Sequence, residues 1–167
     1  MMFKKLLIAG VGALLATFGA VAGGSASSTV SWSATFAEVG GGPIHSPFVC
    51  PAGESCGSGQ VVGLGQAQDV IVFRAGCGGA CDIRTLTFSD GSQLVMDETA
   101  SNLEVPGNSS SAPSTAYGHP VSLTLAEVID PAASTGRFAG ATGTAAGGVK
   151  VAGGVAIIRL SGSLTFA

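Results

Sequence analysis

Basic side chains are scarce: Lys and Arg together number 7 in 167 residues, and two of them, Lys4 and Lys5, sit at the very start. Arg74, Arg84, Arg137, Lys150 and Arg159 are scattered singly along the rest. A phosphate backbone is gripped by clustered Lys and Arg, so this distribution argues against a nucleic-acid partner. Helical periodicity is missing throughout, and beyond residue 22 there is no apolar run long enough for a membrane span. The chain also has no C-x-x-C pair, which removes both a dithiol redox motif and the knuckles of a zinc site.

What the start does contain is an export signal. After Met1-Met2-Phe3-Lys4-Lys5, the 17 residues from Leu6 to Ala22 carry no charge, and Ala20-Val21-Ala22 supplies the small residues that a signal peptidase accepts. Cleavage is expected after Ala22, with Ala26 as a variant site. A retained anchor is the competing reading, but a span needs about 20 apolar residues. Residues 23–167 are then a single domain with five basic against ten acidic side chains, a net charge of −5.

Glycine is abundant where helices would need it to be rare. Of 27 glycines, 24 follow residue 22, about one residue in six against an average of about 7%. Interior glycine weakens a helix by about 1 kcal/mol each, whereas turns and coiled strands exploit its access to positive φ. The balance points to an all-β fold.

Cys50, Cys56, Cys77 and Cys81 are an even set in a chain bound for an oxidising compartment, which favours two disulfides. Three pairings exist. An extended stretch over 59–74 would part Cys56 from Cys77, although a bend at Gly63-Leu64-Gly65 shortens that distance. Cys50 with Cys56 and Cys77 with Cys81 are therefore expected, each a small loop staple. The rival, four thiolates around a metal, does not fit the spacing, and no metal or cofactor is expected.

From Thr29, Val30, Trp32, Ala34 and Phe36 alternate with Ser31, Ser33 and Thr35, a half-buried strand. Residues 45–58 read as a loop, followed by strands at 60–64 and 66–74. The clearest local feature is a hairpin, Ile83–Phe88 and Gln93–Thr99, around a two-residue Asp90-Gly91 turn. That turn would set Phe88 against Gln93, Leu86 against Val95 and Arg84 against Asp97, giving an Arg84 to Asp97 ion pair. Residues 100–118 lack any period and read as a long loop. Val121, Leu123 and Leu125 alternate next, then strands at 137–145, 149–152 and 155–166 with a Gly153-Gly154 turn. Seven or eight strands of this kind make an antiparallel barrel, with a sandwich as the alternative.

The segment Thr135-Gly136-Arg137-Phe138-Ala139-Gly140-Ala141-Thr142-Gly143, continued by the glycine-flanked hairpin to Ile157, Leu160, Gly162 and Leu164, resembles the C-terminal part of allene oxide cyclase-like and dirigent-like β-barrels. The Cys-Pro-Ala-Gly and Cys-Gly-Gly-Ala-Cys segments are similar to those of exported bacterial proteins related to them. Ala133-Ser134 departs from the family's glycine pair. The resemblance implies a calycin-like, eight-stranded barrel whose centre holds side chains or a small ligand; it transfers no reaction and no site residue.

Motifs suggestive of chemistry fail on context. Gly53-Glu54-Ser55-Cys56-Gly57 matches G-x-S-x-G, and Asp97 and His119 follow in hydrolase order, but no helix follows the serine to complete a nucleophile elbow. The glycines after Gly136 lack the Lys-Ser/Thr of a phosphate loop. His45 and His119 sit in loop contexts, and Asn108-Ser109-Ser110 is formally a glycosylation sequon. Asp97 and Glu98, adjacent on a strand, point to opposite faces. If Arg84 and Asp97 share the inner face, they form a structural ion pair or the polar anchor of a ligand cavity. The expectation is an exported, non-enzymatic barrel, a structural module or a carrier of a small apolar molecule. A cyclase- or isomerase-like enzyme with a hydrophobic substrate is the alternative.

Overall fold

The computed structural model describes residues 27–40, 50–51, 53–74, 81–104 and 121–166. The expected signal peptide, His45, Cys77, Asn108, His119 and most of the loop expected at 100–118 lie outside these residues.

Eight strands close into one antiparallel barrel, each bonded to its neighbours in sequence: β1 (Ser28–Gly40), β2 (Glu54–Val62), β3 (Gly65–Val72), β4 (Asp82–Phe88), β5 (Gln93–Glu104), β6 (Val121–Ile129), β7 (Thr142–Ala152) and β8 (Val155–Phe166). The ring is sealed by β8 returning to β1, with Ala34 opposite Leu160 and Ser33 opposite Ser161. The barrel is thus the form adopted rather than the sandwich, with eight strands rather than seven. Period-two alternation sorts the faces: Trp32, Ala34, Phe36 and Glu38 of β1 are buried, while Ser31, Ser33, Thr35 and Ala37 face out. Trp32, Phe36, Val61, Leu86, Phe88, Leu94, Met96, Leu125, Ile158, Leu160 and Leu164 join in one apolar cluster that fills the interior. Tight coiling requires close backbone approaches, and glycine permits them: a Cβ at Gly147 would lie 1.8 Å from the Arg159 carbonyl oxygen of β8.

The two ends of the barrel differ. At one, β2 and β3 turn at Gly63-Leu64, β4 and β5 turn at Ser89–Ser92, and β6 reaches β7 through 130–141, which includes a short 3-10 turn, Gly136–Phe138. Phe138 is fully buried there, its ring 4.9 Å from Phe88 and 6.5 Å from Phe166. The Arg137 guanidinium lies over both Phe88 and Phe138, at 4.7 and 4.8 Å, and donates to the Leu64 carbonyl at 2.7 Å. Backbone amides of Arg137 and Val95 donate to Ser92 Oγ and Ser134 Oγ, both at 3.1 Å, so the cap is stitched to the strands. At the other end, the links between β1 and β2, β3 and β4, and β5 and β6 depart, beside the Gly153-Gly154 turn. Both of those glycines have positive φ, 61° and 82°, as a two-residue turn requires.

Several expected boundaries shift. Residues 54–58 begin β2 instead of closing a loop, β5 continues to Glu104, and β7 runs unbroken over 142–152 while Arg137 and Phe138 leave the strand for the cap. The largest correction concerns the β4–β5 hairpin. Phe88 N donates to Ser92 O and Gly91 N to Phe88 O, both at 3.0 Å, so three residues form the loop, with Gly91 at φ +80°. Leu86 therefore faces Leu94, Arg84 faces Met96, and Asp97 faces Ile83.

Cys50 and Cys56 form a disulfide with their Cα atoms 5.6 Å apart, as the spacing anticipates. Cys81 is also disulfide-bonded, and its expected partner, Cys77, lies outside the described residues.

Candidate functional site

Towards the end with the Gly153-Gly154 turn, the apolar filling gives way to charge. Arg84, on the inner face of β4, is fully buried and reaches four carboxylates from four other strands. Its Nη1 donates to Glu38 Oε1 of β1 at 2.7 Å and to Asp69 Oδ2 of β3. Nη2 donates to Glu98 Oε2 of β5 at 2.6 Å, and Nε donates to the same oxygen at 2.9 Å and to Glu127 Oε1 of β6 at 3.0 Å. Each of the four acids is at most 4% exposed. The planar fork of a guanidinium suits this role, since it presents five donors in fixed directions.

The register explains how the acids meet. Glu38 faces Gly57 of β2, and Gly57 in turn faces Asp69. A Cβ at Gly57 would stand 2.8 Å from Glu38 Cγ and 2.2 Å from the Ala37 carbonyl oxygen, so the bare glycine lets the two acids approach over it. On the opposite wall, Glu98 faces Asp82 of β4 on one side and Glu127 of β6 on the other. Asp82 Oδ1 accepts the Arg74 amide at 3.0 Å.

Burial governs the titration of this cluster. It drives the Asp69 carboxyl well above the ordinary carboxylate range; Arg84 pulls the other way, while a hydrogen bond with Glu38 and the charges of Glu38 and Glu98 push it further up. Burial likewise pushes Glu127 up to about 9, opposed by Arg84 and reinforced by a hydrogen bond with Glu98 and its charge. Asp82 is raised by burial and by Glu98, against the Arg74 amide. Burial on its own would lower Arg84, but the surrounding acids outweigh it and keep the guanidinium charged.

Of the two residues weighed from sequence as ligand contacts, only Arg84 lies inside. Asp97 is exposed on the outer face and makes no pair with Arg84; the one-residue difference in the hairpin reverses every side chain after it, and Glu98 takes the inner place. Glu38, Asp69 and Glu127 carry no local motif that marks them in the sequence, although each falls in phase with inward apolar residues: Trp32, Ala34 and Phe36; Ala67 and Ile71; Leu125 and Ile129.

Other chemistry is not assembled among the described residues. Ser55 is buried within β2, with no strand-to-helix turn, and Asp97 lies on the outside. The donor atoms of Cys50, Glu54 and Cys56 lie within 4.8 Å of one another, but the two sulfurs are bonded together and offer no thiolate. A groove of about 470 Å³, lined by Ser58, Gln60, Gln66, Gln68 and Thr87, opens on the outside of β2–β4. Among the described residues, no helix is long and apolar enough to cross a membrane. No family model matches this chain, and neither a curated protein nor a solved structure matches it.

Proposed function

We propose that this is an exported, non-enzymatic β-barrel of the allene oxide cyclase-like and dirigent-like type, acting as a structural module. One observation carries the reading: the interior is occupied by the chain's own side chains, an apolar layer from Trp32 to Leu164 and an ionic layer around Arg84. A carrier or an enzyme of this architecture needs room for a guest among its inward residues. The Cys50–Cys56 disulfide is in keeping with an oxidising destination.

The test is native mass spectrometry of the oxidised protein from its own exported fraction, before and after organic extraction. A single unliganded mass is expected in both samples. An extra mass that extraction removes overturns the module reading and names the chemical class of the guest. The alternative, a cyclase- or isomerase-like enzyme, draws support from the same ionic layer, because raised carboxyls beside a fixed guanidinium are a means of moving protons. Under that alternative, a bound hydrophobic molecule would be found touching Glu127 or Asp69.

A further inference from the structure

We propose that the barrel interior is a proton-binding site, in which the carboxyl pairs Glu38 with Asp69 and Glu98 with Glu127 each hold one proton against Arg84 at neutral pH. This makes the folded state more stable in mildly acidic surroundings than in alkaline ones. The inference stands whether the barrel is a module or a carrier.

Charge and burial carry the argument. Four ionised carboxylates around one guanidinium would leave three uncompensated negative charges among side chains that are at most 4% exposed. Buried charge without a counter-charge is neutralised by taking up a proton. One proton per pair leaves two carboxylates and two neutral acids around Arg84, close to balance. The pairing follows from register, since Glu98 faces Glu127 directly and Glu38 reaches Asp69 over Gly57. Asp69 Oδ1 and Glu127 Oε2 are buried and receive no N–H or hydroxyl donor, and these are the oxygens a carboxylic proton would occupy.

Among the described residues, the remaining inner walls add one more titratable group, Asp82 of β4 beside Glu98, held by the Arg74 amide. From β2, β7 and β8 the inward residues are uncharged: Ser55, Val149 and Ile158. The resident cation is Arg84 itself.

The direction of the pH dependence follows from linkage. An acid whose carboxyl titrates higher in the folded state than in the unfolded one contributes stability that is complete below the unfolded value and is lost as pH rises through the folded value. For Glu127 that window runs from 4.5 up to about 9, and for Asp69 it opens at 3.8 and extends upward. Within it, the folding equilibrium constant falls about tenfold per unit rise in pH for each proton the folded state retains.

The experiment compares the oxidised chain with its Asp69→Asn/Glu127→Gln variant, in which each neutral acid is replaced by an amide of the same shape. Urea unfolding is followed by fluorescence of the single tryptophan, Trp32, from about pH 5 to about pH 9. The folding constant of the unsubstituted chain is expected to fall with pH more steeply than that of the variant, by about tenfold per unit for each acid replaced. Equal slopes overturn the proposal. Should the variant not fold, infrared spectroscopy of the unsubstituted protein decides. A carbonyl stretch of un-ionised carboxylic acid at neutral pH, lost on unfolding, is expected, and its absence overturns the proposal.

Discussion

Glu38 and Asp69 belong to strands that never pair with each other, yet both bind Nη1 of Arg84 because the residue between them in register, Gly57, has no side chain. The ionic layer is thus built as much from a missing atom as from the charges themselves.

Gly57→Ala is the direct check. The new methyl would press on Glu38 Cγ and on the Ala37 carbonyl. Backbone cannot give way as a flexible side chain can, so a loss of about 1–3 kcal/mol is expected, of the order seen for overpacked cores. The urea midpoint of unfolding, read from Trp32 fluorescence, measures it. A change under about 0.5 kcal/mol, the size of an ordinary surface substitution, would mean that the acids need no such gap.

Arg84→Met should be among the most damaging single changes. It strands four buried acids without their cation, and breaking a buried ionic network from one side costs about 3–5 kcal/mol. Acid should rescue it in part, since protonation neutralises the orphaned carboxyls. Thermal unfolding of the variant at acidic and neutral pH tests this, with the smaller deficit expected in acid.

The inner residues were open to reading wherever period-two alternation was unbroken. β1 illustrates this: Trp32, Ala34 and Phe36 mark the inner face, and the same count places Glu38 there. The β4–β5 hairpin shows what alternation alone cannot decide. Asp90-Gly91 serves a two-residue or a three-residue loop with Gly91 left-handed in both, and the choice rests on whether Ser89 pairs across the strands or enters the loop. That single residue determines whether Asp97 or Glu98 meets Arg84. Convergence of acids from four different strands depends on barrel closure, which no local pattern encodes.

Replacing Cys50 and Cys56 together by Ser should lower stability by about 2 kcal/mol, because the loop they close is short. The fold should survive, since neither sulfur contributes to the apolar interior. Urea titrations of the oxidised parent and the double variant give the difference. A loss of fold would mean that the staple organises far more than its own loop.

Phe138→Ala removes the stopper from the capped end. A fully buried ring packed on Phe88 and Phe166 is typically worth about 3–5 kcal/mol. Arg137 would lose one of the two rings it covers. By contrast, Asp90→Asn should change little, for its contact with Arg137 is long, at 3.6 Å, and exposed. The two midpoints, measured side by side, separate packing from surface charge.

The seam between β1 and β8 sets a timetable. Each of the other junctions joins strands adjacent along the chain, so hairpins such as β2–β3, β4–β5 and β7–β8 can zip as their residues emerge. β1 has one flank bare until β8 is delivered, and closure at that flank brings together the most distant pair of strands. The two edges that meet at this seam can be paired only once the last strand of the barrel is present, so closure is the step that removes the sheet's exposed backbone edges.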